Sequence, residues 1–565
     1  MSRSVARSLL TKISPTHEEQ SDTKSAGKLS YDERVSPRYV DCVLGSGPAA
    51  VACANELLDA GRAVVMVDPG KRLPPKYQSI QQDFLRLRDR ESFIGHIREA
   101  RRGLPKDMKD KKLPFGSTYV YDQSEHLLPL DVRDAFIFRS LASGGLSAVW
   151  GATVMPMTER SFRNWPVTQS EMAPFYRRVS ELMDVPVVHD DLEELYPNFG
   201  DAQPPPLSEQ GIQLMGHLLN HRNNLGQAGI RFGRGRSAIG GRYSINGEGC
   251  TACGLCMYGC AYRAIFNAEY VVDSLTARPD FTHHEGWIAE GLDDNVSGAV
   301  AHLRHLGSGR QENIECDRLF VACGATTSLR LVAGALKWFG RPFYLSDTQQ
   351  FSIPAFLSKR CRAGAVPKAS ALSQIFVEMD RPEICDENIH LQIYGFNPFM
   401  VDILRSRWGR LINESILQSL FDRMMVVVGY LPGQLSGSIE VVVRPQSEGL
   451  PAASCVGVPN PRTNSSVRSI AKILSAHAQD FGWLTALPLM EVPKIGTSAH
   501  LAGCLPMKSA TAIGETDVLG RPHGMRRVHV VDSACFSDLP SEHLTYTVMA
   551  NAARVARQAT EGRAA

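Results

Sequence analysis

Two sets of residues in this chain have types and spacings that could do chemistry. The first is "CTACGLCMYGC", which places Cys250, Cys253, Cys256 and Cys260 within eleven residues, in a chain with thirteen cysteines in all. This spacing reproduces the bacterial ferredoxin run, except that Ala261 stands where proline usually follows. In such a run three thiolates hold one cluster and the fourth serves another. A single copy would therefore need a ligand from elsewhere for a [4Fe-4S] cluster, or hold a [3Fe-4S] one. Zinc is a second reading, although its four-thiolate sites usually draw two pairs from separated loops. Unligated thiols packed in a turn are the third.

The second set is a glycine turn. From Val40 the chain reads "VDCVLGSGPAAVACANELLDAGRAVVMVD": an apolar strand, a turn, a helix with small residues, and a second strand. Gly45 and Gly47 suit a tight turn and the close approach of a pyrophosphate, and Ala50 lets the helix pack on the strand. Asp68, about 20 residues further on, ends the second strand, where it could accept hydrogen bonds from a ribose. The context of strand, turn, helix and strand predicts a bound dinucleotide. A tight turn without a ligand is the alternative.

Those elements belong to a long chain whose bulk composition excludes several classes. With 565 residues, two or three structural units are expected. Lys and Arg total 61 against 59 Asp and Glu, so nothing points to nucleic acid or an anionic membrane. No apolar run approaches the roughly 18 residues of a membrane span; the best candidate, "MMVVVGYLPG", soon meets Pro and Gly. The amino terminus lacks the apolar stretch of a secretory signal, so the cytoplasm is the default expectation, export on a partner subunit's signal aside. Residues 1–37 read as a mobile tail, and 86–112 as a solvated helical insertion.

Three further blocks follow in order: "LASGGLSAVWGATVMPM", "RLFVACGATTSLRLV" and "TDVLGRPHGMRRVHVVDSACFSDLPSEHLTYTVMANAARVA". With the first glycine turn, they make the chain resemble the glucose-methanol-choline (GMC) oxidoreductases, which are FAD enzymes. The resemblance implies an α/β fold with a discontinuous FAD-binding Rossmann-type domain (38–160, 240–335 and 490–565). It also implies a substrate domain with an antiparallel β-sheet (161–239 and 336–489), to which alternating stretches such as "NIHLQIYGF" and "SIEVVVRP" fit. Gly144, Gly145, Ser147 and Trp150 would lie near the flavin. Asp532 would sit by the ribityl-pyrophosphate, and the last helix, entered at Leu544 and Thr545, beneath the isoalloxazine ring.

The same resemblance assigns the chemistry. His500 in "SAHLAGCLPM" falls on the family's catalytic histidine, and His543 in "PSEHLTYTVM", 43 residues later, on its second member. Oxidising an alcohol removes a hydroxyl proton as hydride leaves carbon for flavin N5, and a neutral imidazole suits the proton. His500 is then the general base and His543 the residue that orients the hydroxyl; the other histidines, His283 and His284 among them, read as surface or structural. The expected substrate is a sugar, polyol or other secondary alcohol. The electron acceptor is a quinone, cytochrome, electron-transfer protein or oxygen. Some sugar dehydrogenases of the broader family carry an iron-sulfur cluster near the cysteine run, and a cluster here would favour a dehydrogenase over an oxidase. A non-redox, FAD-retaining lyase and an electron-relaying flavin/iron-sulfur subunit are the rival readings.

Overall fold

The stretch "VDCVL" becomes strand Val40–Leu44, the centre of a five-stranded parallel sheet in the order Val528–Val530, Arg318–Val321, Val40–Leu44, Ala63–Asp68, Phe281–Glu285. Both faces of its central strands are buried, which is why these segments read as nearly continuous apolar runs. A computed structural model describes residues 40–105, 108, 111–361, 369–400, 402–403 and 420–562. The expected tail at 1–37 lies outside the described residues.

Helix Pro48–Asp59 follows the first strand with proline in its first turn, where the missing N–H costs nothing. Its alanines pack against the carboxy-terminal helix Thr545–Thr560. Small side chains on both helices allow that close approach, so the last helix is held against the glycine turn although some 500 residues separate them in sequence.

Two further sheets complete the frame. One has six antiparallel strands in the order Trp483–Thr485, Gln350–Leu357, Met424–Tyr430, Ile389–Tyr394, Ile375–Met379, Ile230–Arg234. The other orders Leu501–Ala502, Pro342–Asp347, Ser438–Arg444, Ala452–Val458 and Asp131–Arg133. It links the strand end at Asp347 to the segment just after His500 through the pair Asp347 and Leu501. The apolar candidate at Met424 is thus a central strand, and no helix among the described residues is long and apolar enough to cross a membrane.

The charged segment after residue 75 differs from a fully solvated insertion. It folds as helices Pro75–Leu87 and Arg90–Ala100, whose Phe84, Phe93, Ile94 and Ile97 are buried. Phe84 meets Tyr262 edge-on at 6.0 Å, and Phe93 meets Phe115 at 6.1 Å. Only the opposite face carries the charges that made the stretch look solvated.

Candidate active site

The first glycine turn is built for close approach. Gly45 has φ +104°, and a Cβ there would stand 2.4 Å from Ala322 O. Gly47 has ordinary φ, and a Cβ added to it would meet nothing within 4 Å; a Cβ added to Gly324, at φ +84°, would also meet nothing within 4 Å. Gly145 of the second turn faces Gly47, its added Cβ meeting only Gly47 Cα at 3.5 Å. These three positions border a space that side chains would fill and that the chain leaves open. The N-terminus of helix Pro48–Asp59, which has no side-chain cap and no acidic residue in its first turn, borders it too. Uncapped N–H groups at a helix start favour an anion. Ser143 Oγ, fully buried in the second turn, has no hydrogen-bond partner. The open glycines, the bare helix start and the orphaned hydroxyl fit a dinucleotide diphosphate.

The side chains around that space hold one another. Asp68, 2% exposed, accepts from Ser46 Oγ, and its other oxygen lies 2.7 Å from His283 Nε2. His283 is therefore a buried partner of Asp68. Ser147 Oγ, itself 3.0 Å from Asn267 Oδ1, accepts from Ala268 N at 2.9 Å, tying the second turn to the start of helix Ala268–Leu275. Trp150 donates Nε1–H to Phe266 O at 2.8 Å. Asp532 accepts from Gly324 N at 2.8 Å and from Ser328 Oγ, and burial raises its pKa. Ala50 is fully buried in the helix, and Leu544 and Thr545 open the last helix.

His500 and His543 come together, with ring centroids 4.3 Å apart and an interplanar angle of 76°. Tyr430 lies against both, at 5.5 Å and 4.6 Å. The loop before His500 is anchored by Asp347, which accepts from Gly496 N and Ser498 Oγ, while Ser498 Oγ accepts from His500 N at 3.0 Å. The next residue, Thr348, puts Oγ1 2.7 Å from His500 Nδ1. Burial, with the neighbouring His390 second, lowers the His500 pKa to about 4. Burial, then His500 and His390, holds His543 well below the ordinary histidine value. Both rings are neutral at physiological pH, the form that can accept a proton through one nitrogen and donate through the other.

Behind the pair lies a polar network with no counterpart among the residues singled out from sequence. His543 Nε2 is 2.8 Å from Gln392 Nε2, which is also 3.1 Å from His390 Nε2 and 3.1 Å from Thr153 Oγ1. His390 Nδ1 is 2.5 Å from Glu378 Oε1. The only sequence signal was the alternation in "NIHLQIYGF", whose polar positions are buried here rather than solvated.

The cysteine run corrects the expectation of a cluster. Among the described residues, no group of three or more His, Cys, Asp or Glu side chains is placed to hold a metal ion. Cys250 Sγ instead accepts from Ala252 N, Cys256 Sγ from Ala371 N and Cys260 Sγ from Ala264 N. The Cys253 backbone bridges to Ala369. Burial pushes Cys250 up to about 12 and Cys260 up to about 11 and raises Cys253 as well, and the neighbouring thiols of the run add to each shift. Cys250 and Cys260 accept within their own loop, whereas Cys256 accepts from Ala371 across 115 residues.

No family model matches the chain. A curated relative, 6'''-hydroxyparomomycin C oxidase of Streptomyces lividus, is 22% identical over 543 residues, spanning 91% of this chain and 90% of that protein. Among solved structures, pyridoxine 4-oxidase from Mesorbium loti superposes with a TM-score of 0.58 at 12% identity, over 92% of this chain and 99% of its own. A formate oxidase variant from Aspergillus oryzae RIB40, studied for FAD modification, also gives 0.58 at 12% identity, over 93% and 98%.

Proposed function

Because this chain has the GMC oxidoreductase fold, we propose that it is an FAD-dependent enzyme that oxidises an alcohol group of a hydroxylated small molecule to a carbonyl. The observation that carries the reading is the His500 and His543 pair, two neutral imidazoles edge to face at 4.3 Å. Gly45, Gly47, Ala50 and the helix start would hold the diphosphate and Asp68 the ribose. Gly144, Gly145, Ser147, Trp150, Asp532, Leu544 and Thr545 would lie along the rest of the cofactor. When bound, FAD supplies the acceptor for the hydride that leaves the carbinol carbon.

The chain's own residues handle the proton. With Nδ1–H of His500 donating to Thr348 Oγ1, Nε2 keeps its lone pair and takes the hydroxyl proton as the C–H bond breaks and C=O forms. The low pKa keeps that lone pair available across the neutral range. His543 donates to the substrate oxygen and sets its direction. Tyr430 packs on both rings and restricts their tilt.

The two neutral imidazoles with the Tyr430 ring beside them suit a hydroxyl-bearing substrate of the sugar or polyol type. The name of the curated relative, which specifies 6'''-hydroxyparomomycin C, supports the same class. The argument for a dehydrogenase rested on converging thiolates. Without that convergence, and with oxidases among the similar proteins, oxygen is the acceptor proposed first.

Anaerobic mixing of the yellow protein with a panel of sugars, polyols and aminoglycosides tests the reading. Bleaching of the flavin band by one of them, with peroxide released when air is admitted, is the expected result. A flavin that no alcohol reduces would overturn it.

A further inference from the structure

Strand Ile389–Tyr394 turns a polar face, His390 and Gln392, into the protein interior, and both side chains are fully buried. His390 stands in register with Glu378 on one neighbouring strand and with Tyr430 on the other. Backbone pairing holds these strands, so apolar side chains would serve the sheet as well. Unmatched, each buried polar group would destabilise the fold. A polar row kept in such a place acts on something beyond the sheet.

We propose that Glu378 and His390 are positioning residues: acting through Gln392, they hold His543 as the Nδ1–H tautomer, making it a donor while His500 is left as the acceptor. The catalytic meaning of this rests on the alcohol-oxidation reading above.

The assignment follows from donor and acceptor counting. A carboxylate only accepts, so the proton between Glu378 Oε1 and His390 sits on His390 Nδ1. With His390 neutral, its Nε2 keeps a lone pair, which accepts from Gln392 Nε2 at 3.1 Å. Tyr394 OH donates to Gln392 Oε1 at 2.7 Å, which sets the direction of the amide. The amide nitrogen has only two hydrogens. One goes to His390; the other goes mainly to His543 Nε2 at 2.8 Å, nearer than Thr153 Oγ1 at 3.1 Å. His543 therefore accepts at Nε2 and carries its proton on Nδ1.

The charges nearby agree with this. Glu542 is 1% exposed and lies near Glu378, and burial together with Glu378 raises its pKa to about 8. Tyr196 also faces Glu378, its hydroxyl held neutral by burial. On the other side, His543 meets the His500 and Tyr430 rings as well as His390.

Solid-state 15N NMR of the flavin-loaded, [15N]histidine-labelled protein tests the assignment, with the His543 signals identified by their loss in His543→Asn. In the unsubstituted protein the expected result is a bare Nε2 and a protonated Nδ1. In Gln392→Leu and Glu378→Gln, the bare Nε2 signal should give way to a mixture of both tautomers while the flavin spectrum is retained. A protonated Nε2 in the unsubstituted protein, as required if Gln392 presented its oxygen, overturns the proposal, and so does an unchanged tautomer in Gln392→Leu. If neither variant folds, the unsubstituted spectrum alone decides. The measurement needs no substrate, so its failure is distinct from failure of the alcohol panel.

Discussion

Gly45 and Gly47 stand two residues apart, and the same added methyl group should act on them in opposite ways. In Gly45→Ala the new Cβ meets Ala322 O at 2.4 Å while the backbone holds φ +104°. The unfavourable dihedral alone costs about 1–3 kcal/mol. Relieving the backbone contact would move the end of strand Arg318–Val321, so a total loss of ~3 kcal/mol or more in the apoprotein is expected. In Gly47→Ala, φ is −68° and the methyl enters open space. Folding then gains about 0.4–1 kcal/mol, because alanine restricts the unfolded chain. That same space is where a diphosphate would approach the backbone, so FAD affinity should fall at least about tenfold, ~1.4 kcal/mol. Urea unfolding of the two apoproteins and flavin titration followed by fluorescence separate the effects. A Gly47→Ala protein that binds FAD as tightly as the unsubstituted one would refute the cradle. A Gly45→Ala protein as stable as the parent would refute the packing around it.

Four other outcomes are expected. His500→Ala should slow flavin reduction by about a hundred- to ten-thousand-fold in anaerobic stopped flow and leave the bound flavin yellow; an unchanged rate would remove His500 from its role. The folded chain holds His500 at about 4, so the unfolded chain takes its proton first as pH falls from the ordinary histidine value. Its contribution is level above that value and lost progressively down to about 4, and the pH slope of urea-unfolding free energy should be smaller in His500→Ala. For Glu542 the folded pKa is raised, to about 8, so the folded chain holds the proton longer and stability falls as pH rises from the ordinary carboxylate range to about 8. Glu542→Gln should flatten that limb and be more stable than the parent at pH 8 by several kcal/mol, ~3 or more; equal slopes would place the carboxyl in water. Finally, with the half-buried Cys250 and Cys260 held as thiols by their raised pKa values, iodoacetamide at pH 7.5 should label them at least about a hundredfold more slowly than free cysteine, read by peptide mass spectrometry. Fast labelling, or stoichiometric iron in the purified protein, would show the thiols drawn together.

The turn at Gly45, the helix after it and Asp68 at the next strand end were legible in sequence because strand, turn and helix are local, each set by side-chain period and backbone freedom within about 30 residues. His500 and His543 were singled out through short motifs; their meeting depends on a helix start at Leu544, inside one motif, and on a strand edge at Asp347, which lies about 150 residues before His500 and in neither. The spacing of Cys250, Cys253, Cys256 and Cys260 describes distance along the chain only. Whether four sulfurs share a centre depends on loop dihedrals, and here the backbone N–H groups of Ala252, Ala264 and Ala371 engage three of them one by one.

The alternation in "NIHLQIYGF" announced a strand and left open which side faced water. Only the packing of the six-stranded sheet behind the histidine pair turned His390 and Gln392 inward and brought Glu378 into register. Likewise, Asp68 gained His283 because strand Phe281–Glu285 pairs beside it, a contact across more than 200 residues. Local period and backbone freedom are written along the chain, whereas which polar faces meet is decided by how sheets stack, and that depends on every other buried side chain at once.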